Sequence, residues 1–178
     1  MTPQKLVVLS GLPGSGKSSL AEGLSRALSI PVLSVDPIEA GMRRSGLAEF
    51  QTGIAAYYVA QTLADEHLRL GHSVIIDAVN PVEAPRAAWR DLATKYRADL
   101  KIVECVCEDQ TLHRQRIESR VRNIDGIRDI TWAEVQEGRR SEYEPWTERR
   151  LVLDTSAKSS EQLLAETLNY VRAISPPP

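Results

Sequence analysis

The sequence contains few cysteines and little net charge, and each scarcity argues against a class of function. Its two cysteines, Cys105 and Cys107, lie one residue apart, and no second pair follows that would complete a zinc site. We interpret them as reduced core residues on one face of a strand. The formal net charge of −2 argues against a general binder of polyanions such as nucleic acid. The three histidines show no metal-binding spacing, and no role is predicted for them.

Long apolar runs are also missing. No stretch approaches the roughly 20 apolar residues of a membrane span, and the opening MTPQK lacks the basic and apolar regions of a secretion signal. We therefore expect a cytoplasmic protein without a membrane contact. The 178 residues, 42% of them apolar and 26% charged, predict one globular domain over residues 1–175 and a disordered tail at 176–178.

Short apolar runs alternate with helical patterns along the chain. Runs such as 5–10 and 73–78 predict strands, and amphipathic segments such as 17–29 and 50–70 predict the helices between them. This order predicts an α/β fold of three layers, α/β/α, with a five-stranded and mostly parallel sheet. The charged stretch 114–145 carries few apolar anchors and predicts a mobile helical lid.

The strongest chemical signal is GLPGSGKS, residues 11–18, which matches the phosphate-binding motif G-x-x-x-x-G-K-[S/T]. Glycines let the backbone turn so that successive N–H groups point into one concavity, and the following helix directs its positive N-terminal end at the same anion. Lys17 can reach the β- and γ-phosphates, and the Ser18 hydroxyl can complete the coordination of Mg²⁺. An apolar strand before the motif and a helix after it predict a P-loop NTPase fold that binds a nucleoside triphosphate with Mg²⁺. The predicted nucleotide-binding residues of the loop are Gly11, Leu12, Pro13, Gly14, Ser15, Gly16, Lys17, Ser18 and Ser19.

Because GTPases, motors and switches share this loop, the two aspartates that follow apolar strands decide between functions. Asp77 ends the run VIID and is predicted to hold Mg²⁺ with Ser18 or to orient the attacking group, a plain turn residue being the alternative. Asp36 follows the second predicted strand, at the edge where ligands bind in doubly wound sheets. We predict that Asp36 accepts a proton from an acceptor hydroxyl. The alternative is an N-cap before Pro37, and both roles can coexist.

A run of arginines follows the fourth predicted strand, in LHRQRIESRVR. Arg116 and Arg120 are one helical turn apart and share a face of the predicted helix 109–122. Arginines stabilise the charge that develops on a moving phosphoryl group. The position of the run favours a lid over the site, and a solvated basic face paired with glutamates is the alternative.

Three stretches of the chain resemble a group of P-loop kinases that includes polynucleotide kinases, zeta-toxin kinases, chloramphenicol phosphotransferase, and gluconate and adenylylsulfate kinases. The stretches are 11–19, 74–96 and 111–120, and the likeness to polynucleotide kinases is most evident in them. The resemblance implies that Lys17 and Ser18 bind phosphates and Mg²⁺, and that Asp36 is the general base.

The same resemblance implies roles for residues outside the loop. Arg120 would match a lid arginine that contacts the transferring phosphate, and Arg116 one that packs near the adenine. Thr155 and Ser156, in the loop after the last predicted strand, would lie near the nucleotide base.

Two departures from the polynucleotide kinase pattern shift the prediction away from a nucleic-acid acceptor. The position of the substrate-binding arginine three residues after the base is Glu39, and the Thr–Asn pair after the Walker B aspartate is replaced by Ala-Val-Asn at 78–80. We therefore predict ATP-dependent transfer of the γ-phosphate to a hydroxyl of a small molecule. A 5′-hydroxyl polynucleotide kinase and a nucleotide-dependent switch are the alternatives. The predicted acceptor-binding residues are Asp36, Arg43, Arg44 and Tyr57.

Overall fold

The structure is a computed structural model that describes residues 4–119, 128–141 and 143–173. In these ranges strands and helices alternate. The strands are β1 (Lys5–Ser10), β2 (Val32–Ser34), β3 (Val74–Asp77), β4 (Asp99–Val106) and β5 (Leu151–Asp154). The helices are α1 (Lys17–Leu28), α2 (Val35–Arg44), α3 (Glu49–Arg69), α4 (Glu83–Tyr96), α5 (Gln110–Glu118), α6 (Trp132–Ser141) and α7 (Ser160–Arg172).

The five strands form one sheet in the order β2-β3-β1-β4-β5, and all four pairings are parallel. β1 lies at the centre, and all six of its residues are buried. A parallel strand covered by helices on both faces needs no polar side, which explains why β1 reads as an almost continuous apolar run. The sheet order places the loop after β1 in the middle of the carboxyl edge.

Alternate residues of β1 enter two separate cores. Leu6 and Val8 pack with α3 and α4, whereas Val7 and Leu9 pack with α1 and α7. Helix α3 meets the sheet through a series of alanines four residues apart, at 56, 60 and 64, whose small side chains permit a close approach. The predicted three-layer α/β/α fold is therefore confirmed, and the sheet is fully parallel rather than mostly parallel.

Two helix boundaries differ from the prediction. Helix α2 begins at Val35 with Ser34 at its N-cap, so Asp36 lies inside the first turn and is not the N-cap. Pro37 is tolerated there because the amides of a first helical turn have no intrahelical partner. Helix α5 ends at Glu118, four residues earlier than predicted. At its N-terminus the carboxylate of Asp109 is the cap and accepts from the amides of Thr111 and Leu112.

The region predicted as a lid is partly described. A T-x-x-E capping box opens α6: the Thr131 hydroxyl accepts from the amide of Glu134 at 3.3 Å, and the Glu134 carboxylate accepts from the amide of Thr131 at 2.8 Å. Arg120 and the tail at 176–178 lie outside the described residues. None of the helices in the described ranges is long and apolar enough to cross a membrane.

Candidate active site

The phosphate loop, residues 11–18, connects the end of β1 to the first turn of α1. Gly11 and Gly14 have φ angles of 142° and 78°, a region that favours glycine. A Cβ on Gly11 would collide with the carbonyl oxygen of Cys105, and one on Gly14 would lie 2.7 Å from Cδ1 of Ile117. The loop therefore requires glycine both for its backbone angles and for its close contact with β4 and α5.

One buried polar side chain of the loop lacks a protein partner in the described residues. Gly16 is the N-cap of α1 and supplies no side-chain hydrogen bond to the first helical turn. The buried Ser15 hydroxyl finds no hydrogen-bond partner among the described residues. Lys17 is only 5% exposed. An unpaired buried hydroxyl and a buried ammonium at a helix N-terminus are suited to bind a polyphosphate.

Asp77 is the last residue of β3 and pairs in register with Leu9 of β1. The Ser34 hydroxyl donates to Oδ2 of Asp77 at 3.1 Å, while Oδ1 is buried without a hydrogen-bond partner in the described chain. An unpaired carboxylate oxygen is a suitable ligand for a hard cation. The described ranges contain no group of three or more His, Cys, Asp or Glu that could hold a metal. Mg²⁺ fits this setting, since it is usually held by one or two protein oxygens together with phosphates and water.

A cavity of about 530 Å³ opens on one side of the phosphate loop, between α1 and α7. We call it the α1–α7 cavity. It is lined by Gly14, Gly16, Lys17, Ser18, Ser19, Leu20, Gly23, Arg26, Arg116, Thr155, Lys158, Ser160, Glu161, Leu163 and Leu164. Five residues of the predicted nucleotide site in the phosphate loop thus face this cavity.

Arg116 and Thr155, both predicted near the nucleotide base, also line this cavity and are hydrogen-bonded to each other. The Thr155 hydroxyl donates to the carbonyl of Ser15 at 2.9 Å and accepts from Nη1 of Arg116 at 2.8 Å. Nη2 of Arg116 donates to the carbonyl of Thr155 at 2.9 Å. Ser156 is not among the lining residues, and its hydroxyl donates to Asp154 at 2.6 Å.

A second cavity of about 830 Å³ opens on the other side of the loop, and residues of α2, α3, α4 and α6 line it. We call it the α2–α3 cavity. It is lined by Leu12, Pro13, Val35, Asp36, Glu39, Gly53, Ile54, Tyr57, Tyr58, Gln61, Val79, Pro81, Val82, Ala84, Pro85, Ala88, Ile130, Glu134, Val135 and Gly138. Leu12 and Pro13 of the phosphate loop form part of its wall, so the two cavities are neighbours across the loop.

Asp36 and Tyr57, both predicted at the acceptor site, line the α2–α3 cavity. The Tyr57 hydroxyl accepts a hydrogen bond from the amide of Asn80 at 3.0 Å. Burial raises the pKa of Tyr57 to about 12, and the negative charges of Asp36 and Asp77 act in the same direction. Tyr57 therefore stays protonated and lies close enough to both aspartates to sense their charge.

Arg43 and Arg44 were also predicted to bind the acceptor, but neither is among the residues that line the α2–α3 cavity. Nη2 of Arg43 lies 2.8 Å from the Glu39 carboxylate and 3.1 Å from that of Glu49. The hydroxyl of Thr52 also donates to Glu39. The geometry gives Arg43 a role in joining α2 to the start of α3 rather than in contacting a ligand.

The cysteines occupy core positions, as predicted. Both are free and buried, and Cys105 packs with the core that includes β1. Burial raises the pKa of the Cys105 thiol to about 12 and also raises that of Cys107. Both side chains therefore remain neutral thiols and are poor nucleophiles.

His113 contacts the phosphate loop, a placement that the sequence did not indicate. It is 1% exposed, its Nε2 donates to the carbonyl of Pro13 at 2.7 Å, and its Nδ1 accepts from Nη2 of Arg139 at 3.0 Å. Its ring also meets that of Trp132 edge to face. His113 thus joins the loop to α6 across long separations in sequence, and no local spacing could have revealed it.

Acidification should destabilise the protein through His113. Burial lowers the pKa of His113 below its ordinary value of 6.5, and the cations of Arg139 and Arg116 act in the same direction. The unfolded chain then binds the proton more readily, so this stability is fully present above pH 6.5 and is lost as the pH falls through the lower folded-state pKa. We expect the urea midpoint to fall between about pH 7.5 and about pH 5.

The variant His113→Gln keeps a donor for Pro13 but does not titrate, so its urea midpoint should depend less on pH. The matched control is His72→Gln, which replaces an exposed histidine ahead of β3 and should retain the wild-type pH dependence. An unchanged dependence in His113→Gln would show that other groups cause the loss.

Solved structures with this fold include kinases and a kinase candidate. A kinase candidate from Chloroflexus aurantiacus aligns with a TM-score of 0.78 at 20% identity, covering 96% of this chain and 100% of its own. The APS kinase CysC of Mycobacterium tuberculosis, in complex with AMPPNP and APS, aligns with a TM-score of 0.69 at 22% identity. The alignment covers 96% of this chain and 99% of the kinase. A gluconokinase from Sinorhizobium meliloti aligns with a TM-score of 0.65 at 19% identity, and the alignment covers 95% of this chain and 91% of the gluconokinase. At these identities the similarity establishes the fold.

Curated relatives match over part of the chain. Two uncharacterized proteins, one from Mycobacterium tuberculosis and one from Mycobacterium bovis, are each 33% identical over 115 residues. The match covers 58% of this chain and 23% of each relative, so the chain spans about a quarter of their length. The family model AAA_33, described as an AAA domain, matches residues 6–145 and includes the phosphate loop, Asp36 and Asp77, and the chain therefore belongs to this family.

Proposed function

We propose that this protein is a Mg²⁺-dependent kinase that transfers the γ-phosphoryl group of ATP to a hydroxyl of a small molecule. The observation that carries the proposal is the pair of cavities on either side of the phosphate loop, with the Asp36 carboxylate in the second. A kinase needs a nucleotide and an acceptor to meet at one phosphate, whereas a nucleotide switch needs no second cavity. The related fold of the M. tuberculosis APS kinase, which holds AMPPNP and APS together, supports this assignment.

The proposed reaction balances without a further reactant. The acceptor oxygen attacks the γ-phosphorus, and the bond from that phosphorus to the bridging oxygen of ADP breaks. The hydroxyl proton passes to the carboxylate of Asp36 and then to solvent. The products are a phosphate monoester, ADP and a proton.

The remaining roles follow from the buried groups around the loop. The ammonium of Lys17 and the amides of α1 hold the phosphates and stabilise the charge of the transition state. Asp77 and Ser18 would hold Mg²⁺, which supplies positive charge to the phosphate oxygens. Arg116, fixed by Thr155 at the α1–α7 cavity, lies on the nucleotide side, and Arg120 stays a predicted lid residue.

A small acceptor is favoured over a polynucleotide because the α2–α3 cavity offers little to a phosphate backbone. Its described lining contains three carboxylates and no lysine, arginine or histidine. Nucleic-acid sites instead collect basic side chains. The narrower assignment to the polynucleotide kinase, zeta-toxin and chloramphenicol phosphotransferase group remains part of this proposal.

The test is transfer of labelled γ-phosphate from ATP across sugars, nucleosides, aminoglycosides and a 5′-hydroxyl oligonucleotide. Transfer to a small alcohol that stops when EDTA removes divalent metal is the expected result. Strong and salt-sensitive labelling of the oligonucleotide would favour the polynucleotide kinase alternative. Binding of ATP without transfer to any acceptor would favour the switch.

The variant Lys17→Ala should lower kcat/KM for transfer by about 10²- to 10³-fold, because a preorganised cation facing the phosphates is lost. The matched control is Lys95→Ala, which removes an exposed ammonium paired with Asp65 and should retain the wild-type rate. Transfer at the wild-type rate by Lys17→Ala would contradict the role given to the loop.

A further inference from the structure

We propose that the acceptor is an alcohol with an apolar body and without an anionic group. This inference rests on the proposed kinase function and specifies the substrate class of the same site. It follows from two independent properties of the α2–α3 cavity: the charge of its lining and the apolar wall that α3 presents.

The charged side chains that line the cavity in the described ranges are all carboxylates, and some of them are paired with arginines outside the lining. Its charged lining residues in the described ranges are Asp36, Glu39 and Glu134. Glu39 is paired with Arg43, and Arg128 holds the pKa of Glu134 down to about 2, so that carboxylate is ionised at neutral pH. An anionic acceptor would therefore meet carboxylates here with no cation among the described lining residues, and like charges brought together oppose binding.

The wall of the cavity on α3 is apolar and strongly exposed. Ile54 and Tyr58 lie four residues apart on one face of the helix, and they are 76% and 66% exposed. Both line the cavity, together with Tyr57 and the ring of Pro85 from α4. Exposed apolar side chains facing a cavity gain free energy when an apolar ligand covers them.

The two properties complement the transfer step. The hydroxyl must approach Asp36 next to the phosphate loop, whereas Ile54 and Tyr58 of α3 offer apolar surface to the rest of the acceptor. An acceptor whose hydroxyl enters first would thus contact Asp36 with its oxygen and Ile54 and Tyr58 with its body. The oxygen–phosphorus bond forms, the bond to ADP breaks, and Asp36 takes the proton, as in the general reaction.

A matched set of three alcohols tests the charge and the apolar body separately. The set is 2-phenylpropane-1,3-diol, tropate, in which a carboxylate replaces one of the CH₂OH groups of the diol, and glycerol, in which a hydroxyl replaces the phenyl ring. We expect kcat/KM for the diol to exceed those for tropate and for glycerol by at least about tenfold. Equal or better transfer to tropate would overturn the charge argument, and equal transfer to glycerol would overturn the argument for an apolar body.

The α3 wall is tested by Ile54→Gln, which should raise KM for the diol about tenfold and leave KM for ATP unchanged. The matched control is Leu63→Gln, which changes an exposed apolar residue of the same helix outside the cavity and should retain the wild-type KM values. An unchanged KM for the diol in Ile54→Gln would overturn the placement of the apolar body on α3.

Binding measured without transfer separates this inference from the kinase function. Calorimetry with the protein saturated by a non-hydrolysable ATP analogue should show the diol binding more tightly than tropate, and more tightly to the wild type than to Ile54→Gln. That pattern without any phosphate transfer would refute the kinase function, and it would support only the class of ligand that the α2–α3 cavity binds. Transfer to anionic alcohols, or no binding of the diol, would refute the inference and leave the kinase function standing.

Discussion

Replacing Asp36 with asparagine should lower kcat for phosphoryl transfer by about 10²- to 10⁴-fold, the range expected when a general base is removed. Asparagine has nearly the same shape as aspartate, but its amide cannot take the proton of the acceptor hydroxyl. Asp36 lies in the first turn of α2 and lines the α2–α3 cavity beside Leu12 and Pro13 of the phosphate loop. The measurement is steady-state transfer of labelled phosphate to the best acceptor.

Binding of ATP and thermal stability provide the internal control for Asp36→Asn, and both should stay close to wild type. The matched substitution Asp91→Asn, at an exposed position of α4, should leave transfer unchanged. A wild-type kcat in Asp36→Asn would show that Asp36 serves only the helix terminus, where a carboxylate interacts favourably with the dipole.

Replacing Arg86 with methionine should lower the free energy of unfolding by about 3–5 kcal/mol, because it removes several hydrogen bonds to a charged group, each worth about 1.5–3 kcal/mol. Arg86 is 2% exposed. Its guanidinium donates to the carbonyls of Asn80, Pro81, Glu144 and Pro145 at 2.8–3.0 Å. Methionine fills similar space but leaves the carbonyls of Asn80, Glu144 and Pro145 without this donor, whereas the Pro81 carbonyl keeps the amide of Glu144. Asn80 is fully buried, and an unmet buried acceptor is itself costly.

The matched control lies one helical turn further along α4. Arg90 is partly exposed and pairs with the carboxylates of Glu83 and Glu148. Because such exposed pairs contribute at most about 1 kcal/mol, Arg90→Met should have a small effect. Urea unfolding of both variants provides the comparison, and equal losses would contradict the role assigned to Arg86.

Arg86 also lies 4.1 Å from the ring centroid of Trp146, so Arg86→Met should loosen the segment after α6 before the sheet unfolds.

The phosphate loop could be predicted from sequence because its requirements are local. One contiguous motif contains the glycines that adopt positive φ angles, Gly11 and Gly14, and leads directly into the helix that follows. The alternation of apolar and amphipathic segments gave the fold for the same reason, since each strand and helix carries its own pattern. Asp77 is the last residue of β3, as its place at the end of the apolar run VIID predicted.

Other parts of the site depend on residues that meet only in the folded chain. His113 reaches Pro13 across 100 positions, and its burial follows from packing between α5 and α6. Arg86 lies in a polar-looking stretch of α4, and its acceptors at 144 and 145 come from almost 60 residues later. Arg43 appeared free to bind a ligand because its second partner, Glu49, belongs to the next helix.

The position of the phosphate loop between two cavities has a consequence for inhibition. A single compound that joins an adenosine to an apolar alcohol through a chain of phosphates could occupy both cavities at once. Because its two ends would be delivered together, such a compound should bind far more tightly than either half alone. Its optimal number of bridging phosphates would measure, by affinity alone, how far apart the donor and the acceptor sit at the moment of transfer.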